Sequence, residues 1–214
     1  MPDYYLSRQA ELIEQFDADA ASWRQVMAER EGEGFTRAVL DESRRRFEAL
    51  IPSLPYIGGD ESWTESLLES ARCLAFYQAM HLLGRTAAQV GEILYAAAQR
   101  RQAEPIPPSL RLDEEQLMAR RRQRAERTQL RRYPGDYLCE FVPGDGELFD
   151  YGYDFIECAA QKYYRAQGAE ELLPFYCRLD FAYSQVYGLG LVRTTTLAEG
   201  GLKCDFRFKH PYMV

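Results

Sequence analysis

The chain has 214 residues, 46% of them hydrophobic and 28% charged, with a net charge of −7. That apolar content excludes a disordered chain, and the acidic balance excludes a general polyanion binder. No apolar run nears the roughly 18 residues of a membrane helix, and no basic segment precedes an apolar block at the start. The expected location is therefore the cytoplasm, with no membrane partner.

Residues 4–30 and 33–50 are rich in Ala, Glu, Arg and Leu and hold few breakers, so two helices are predicted there. The stretch IPSLPYIGGD at 51–60 breaks the pattern with two prolines and a Gly-Gly pair. A helix is predicted from about Glu61 to Leu83, with Leu67, Cys73 or Leu74, Tyr77 and His81 near a common stripe. Gly84 stops it, and Thr86 caps a further helix through Gln99. The prolines of EPIPPSLR at 104–111 mark a linker. Residues 119–132 carry seven arginines and read as a helix with a solvated basic face. The acidic residues at 113–115 and Glu126 offset it, and no groove-reading motif accompanies it, so nucleic acid is not an expected partner.

Aromatic and alternating patterns begin after Tyr133-Pro134-Gly135-Asp136, which splits the chain into a helical region at 1–132 and an α+β region at 133–214, expected to fold as one unit. Residues 137–142 and 148–153 predict strands around a Pro143-Gly144-Asp145-Gly146 turn. Asp154, three residues before Glu157, has the spacing of a capping box for a helix ending at Gly168. Pro174 suits the first turn of the next helix, which runs to about Tyr187. A second hairpin, 191–196 and 202–208, flanks LAEGG. The fold class is α+β: an N-terminal helical region packed on a ββααββ unit with an antiparallel sheet.

Five cysteines occur without a CxxC pair: Cys73, Cys139, Cys158, Cys177 and Cys204. In a reducing cytosol they are expected to be free thiols. On the helix from Pro174, Phe175, Leu179, Ala182 and Val186 make a core stripe. Cys177, Asp180 and Ser184 fall opposite, flanked by Tyr176, Phe181, Tyr183 and Tyr187, so that face reads as the wall of an interior pocket or as a hydrogen-bonded core. Cys158, in the first turn of its helix, reads as a thiol whose pKa the helix start lowers or as a buried core residue. Alternation puts Cys204 on one strand face with Leu202, Phe206 and Phe208, and Asp205 on the other, where Arg207 is its simplest partner. The thiols lie on separate elements without close ligand spacing, so no metal or other cofactor is expected; a zinc ion held by converging cysteines is the alternative.

Phe149–Cys158, Gly168–Asp180, the run Arg193-Thr-Thr-Thr-Leu-Ala-Glu-Gly-Gly201 and Cys204-Asp-Phe-Arg-Phe208 together resemble the L-2-amino-thiazoline-4-carboxylic acid hydrolase family. A TLAEG turn followed at fixed distance by CDF is the most specific part. The resemblance implies a hydrolase that adds water at C2 of a small cyclic amidine and opens the ring; for the thiazoline itself the product is N-carbamoyl-L-cysteine. It implies Cys158, Cys177, Asp180 and Cys204 as catalytic candidates, with Asp180 as base or amidinium anchor. Arg193 (or Arg178) would hold a substrate carboxylate. Asp205, Thr196, Glu157 and Ser184 complete the substrate-binding candidates. The partner implied is a small-molecule substrate, and self-association into a homo-oligomer is left open. Two other classes compete: a non-catalytic, sensor-like binding domain built on the same pocket, and a cysteine-ligated metal protein.

Overall fold

The computed structural model describes residues 3–59, 63–101 and 114–209. The linker expected at 104–111, the helix start expected at Glu61 and the tail with His210 lie outside the described residues. Helices α1 (Asp3–Leu6), α2 (Gln9–Glu31) and α3 (Glu33–Leu50) come first. Gly32, at φ 83°, separates α2 from α3, a conformation that a side chain would strain. A single 3-10 turn over Ile51–Ser53 ends this part.

Helix α4 (Thr64–Leu82) is apolar almost all round, with Leu67, Leu68, Ala71, Leu74, Ala75, Phe76 and Met80 buried. A helix of that kind runs through a core rather than along it. It packs on α3, on α5 (Ala87–Arg100) and on α7 (Ala159–Ala166). Thr86 caps α5 as expected, in a full capping box with Gln89. Next comes α6 (Glu114–Gln129), which packs on β1 (Leu138–Pro143).

Strand β2 (Tyr151–Glu157) follows, then α7, α8 (Leu173–Val186), β3 (Gly190–Val192) and β4 (Cys204–Lys209). The sheet is antiparallel in the order β1-β2-β4-β3, so the α+β class and the ββααββ succession hold. One buried cluster runs from Tyr5 through α4 to Cys204.

Two local expectations change. The second strand starts at Tyr151 rather than Leu148, because the Asp145 carboxylate accepts the amides of Glu147, Leu148 and Phe149 and winds them into the turn. Asp154 is no helix cap. It lies mid-ladder opposite Glu140 and Asp205, and its carboxylate pairs with Lys203 and Arg207.

Helix α8, the carrier of Cys177 and Asp180, docks on α5 through a glycine. A Cβ at Gly91 would lie 2.5 Å from the Phe175 Cβ. Overpacking of this kind costs about 1–3 kcal/mol, against a helix-propensity gain of at most about 1 kcal/mol for alanine. Gly91→Ala is therefore expected to lose about 1–2 kcal/mol of stability, read by urea denaturation.

Candidate active site

Alternate residues of β2 (Tyr151, Tyr153, Phe155) and of β4 (Phe208, Phe206, Cys204) face the same way and pair in register, Tyr151 with Phe208 and Phe155 with Cys204. They floor a cavity of about 450 Å³. Cys158, at the N-cap of α7, and Tyr176, Cys177 and Asp180 of α8 wall one end; Trp63, Ser66 and Glu69 come from the start of α4, with Tyr137 beside them. The hollow is thus ringed by aromatic side chains, and it brings together the thiols of Cys158, Cys177 and Cys204 with Asp180.

Arg193 fixes Asp180. Its guanidinium donates to the Asp180 carboxylate at 2.5 Å and to the Cys177 carbonyl at 2.8 Å, and lies 4.9 Å from the rings of both Phe181 and Phe206. The Asp180 side chain keeps 41% of its surface accessible, since it stands on the cavity wall, whereas that of Arg193 keeps 4%. The cavity walls around the carboxyl group desolvate it, which raises its pKa to about 6 although Arg193 works against the rise.

A second acid shares the cavity. Burial raises Glu69 to about 7, opposed by a hydrogen bond from Tyr183 and by the charge of Arg72. The ionised form of Asp180 also pushes Glu69 upward. Both carboxyls hold their protons more tightly in the folded than in the unfolded chain. The destabilisation they cause is absent below the ordinary carboxylate range, grows as pH rises towards about 6 and 7, and is complete above that.

The thiols are not activated. Burial raises Cys158 to about 12; the amides of Gln161 and Ala160 at the helix start pull the other way and lose. Of the two readings of Cys158, the lowered pKa is the one that fails, because desolvation of a thiolate exceeds what one helix start supplies. Cys177 is raised by burial and then by Asp180, and Cys204 by burial, its sulfur accepting the Leu197 amide at 3.2 Å. All five cysteines are free. Among the described residues no three His, Cys, Asp or Glu side chains gather closely enough to hold a metal ion.

Four expected substrate contacts lie off the cavity. The Ser184 hydroxyl donates to the Leu189 carbonyl and closes the end of α8. Thr196 caps the 3-10 turn Leu197–Glu199, bonding Glu199 through both its amide and its carboxylate. Glu157 pairs with Lys162 and Arg131. Asp205, on the far face that alternation assigns it, accepts the amides of Thr194 and Thr195 and the Thr194 hydroxyl. Those bonds end β3 at Val192, two residues into its predicted length. Ser184, Thr196 and Asp205 are engaged by local backbone, and Glu157 by two basic side chains. Arg178, the other candidate cation, points away to Glu92 and the Tyr95 ring.

Sequence reasoning missed Glu69, Tyr137 and one whole wall of the cavity. Leu117, Arg120, Arg121 and Arg124 line it from α6. Arg121 lies 3.7 Å from the Tyr151 ring centre and Arg124 4.6 Å from that of Trp63. The basic helix is thus not solvated on every side. The available signal was the i, i+3, i+4, i+7 spacing of these four residues, which marks a single helix face.

The family model for L-2-amino-thiazoline-4-carboxylic acid hydrolase matches residues 65–208, from the second residue of α4 to Phe208 of β4. The chain belongs to this family. The match takes in every cavity element named above except Trp63. No curated protein and no solved structure matches the chain. Among the described residues no helix is long and apolar enough to cross a membrane.

Proposed function

We propose that this member of the family is a hydrolase that opens a small cyclic amidine of the thiazoline type, with Asp180 as general base. The observation that carries this reading is the Asp180 carboxylate, held by Arg193 on the wall of an aromatic cavity with its pKa near 6. A base with that pKa is mostly ionised at neutral pH and still accepts a proton readily.

Asp180 takes a proton from water as the water oxygen bonds to C2 of the ring. With the ring entering as its amidinium, the ring nitrogen already carries its hydrogen. The C2–S bond then breaks, its electron pair leaves on sulfur, and C2 becomes the carbonyl carbon of a ureido group as its hydroxyl proton passes to the carboxylate that has just protonated the sulfur. Sulfur needs a proton. Glu69, near 7, is matched to supply it, whereas Cys158, near 12, and the similarly raised Cys177 are poor donors to a thiolate. The same raised values leave almost no thiolate at neutral pH, which supports direct water attack over a covalent cysteine intermediate. The two carboxyls also suit a cationic amidinium. Arg193, committed to Asp180 and the Cys177 carbonyl, acts as a positioning residue.

The test is turnover of 2-amino-thiazoline-4-carboxylate and related cyclic amidines, read by product mass and thiol release. kcat/KM is expected to rise with pH as Asp180 ionises near 6 and to fall as Glu69 loses its proton near 7. Glu69→Gln is expected to lower the rate about 100-fold and to remove the alkaline limb. A flat profile would dismiss the acid–base pair, and binding without product would leave a non-catalytic receptor.

A further inference from the structure

The cavity has two chemically different ends. The acids and thiols stand where Phe155 pairs with Cys204; Arg121 lies over Tyr151, at the end where Tyr151 stacks on Phe208. Four residue steps along β2 separate these ends, about 13 Å at roughly 3.3 Å per step. A bare 2-amino-thiazoline-4-carboxylate, one five-membered ring with two short substituents, covers less than half of that. The floor between is a continuous run of rings, with Tyr153 and Phe206 in register and Trp63 edge-on to Tyr153 and Phe155.

The α6 wall is cationic in an acidic protein, and Arg121 brings that charge to the far end. Arg120, Arg121 and Arg124 all line the cavity from one face of α6. Burial lowers the pKa of Arg124, so holding its charge there carries a cost. Among the described residues no carboxylate pairs with Arg120 or Arg124, whereas Arg44, Arg45, Arg72, Arg85 and Arg100 all have one. Guanidinium groups set along one wall of a hollow, Arg121 over Tyr151 at the far end and Arg124 over Trp63 one helical turn on, complement an anion.

We propose that the site takes an extended substrate: a reacting cyclic amidine at Asp180, a flat apolar body along the β2–β4 floor, and a terminal carboxylate or phosphate held by Arg120, Arg121 and Arg124. Which end reacts rests on the hydrolytic reading above; that the far end binds an anion does not.

Isothermal titration of the full chain tests it. The probes are 2-amino-thiazolines carrying at C4 a biphenyl-length arm that ends in a carboxylate, a phosphate monoester or a neutral carboxamide. The anionic arms are expected to bind about 30-fold tighter than the carboxamide, a preference that weakens with salt. In an R120Q/R124Q double variant, checked for an unchanged melting temperature, the preference is expected to shrink to about 3-fold or less. The tighter of the two anionic arms identifies the anion. Equal binding of all three arms, or a preference that survives the double substitution, overturns the proposal. Arginine-dependent binding of arms that are never hydrolysed upholds the two-ended cavity and sinks the hydrolase reading. Turnover of the short thiazoline with no preference among the arms does the reverse.

Discussion

Asp180→Asn is expected to cut kcat/KM about 1,000-fold while moving the melting temperature by only a few degrees, within the range that loss of a general base produces. The amide keeps an oxygen for the Arg193 guanidinium, so the arrangement of Arg193 between Phe181 and Phe206 and its bond to the Cys177 carbonyl persist. What disappears is the group able to take a proton from water at neutral pH. Steady-state kinetics beside a thermal melt separates the two effects. Full activity in the variant would remove Asp180 from the chemistry, and collapse of the melt would recast its pairing with Arg193 as structural.

Arg72→Met is expected to be the most damaging change for stability, about 3 kcal/mol, at the low end for breaking a buried ion pair. Arg72 and Asp19 keep only 6% and 7% of their side-chain surface exposed, and Nε meets the carboxylate at 2.6 Å. Methionine fills the volume but strands the Asp19 charge. Arg101, at 3.3 Å from the same carboxylate, limits the loss. A fall in melting temperature of about 8 °C follows for a chain of this size. A second substitution, Asp19→Leu, should restore much of it, because the stranded charge rather than the missing pair is the penalty. Arg72 also lowers the pKa of Glu69, so its removal should move the alkaline limb of activity upward. A melt within 2 °C of the parent would show that water reaches Asp19 freely.

Local rules went far where the pattern was local. The Thr86–Gln89 box, the break at Gly32 and Pro52, and the helix from the Pro174 region all follow from chain stereochemistry. Helical spacing placed Cys177 and Asp180 on one face of α8, and alternation placed Cys204 with Phe206 and opposite Asp205; these relations survive because a period of 3.6 or 2 is a property of the backbone itself. They fail where a side chain competes with the ladder. The Asp145 carboxylate shortens one predicted strand and the Asp205 carboxylate another.

The sequence by itself determined the class of fold, the family and which residues share a face. Only the tertiary structure decided what each face meets. Glu69 reads as one more helical glutamate until α8 closes over it, and seven arginines read as a solvated run until three of them line the cavity, Arg121 over Tyr151 and Arg124 over Trp63. Cys158 and Ser184 show the converse, plausible by position yet governed by burial in one case and by the Leu189 carbonyl in the other. Desolvation and pairing depend on atoms contributed by segments far away in the chain, so no local pattern carries them.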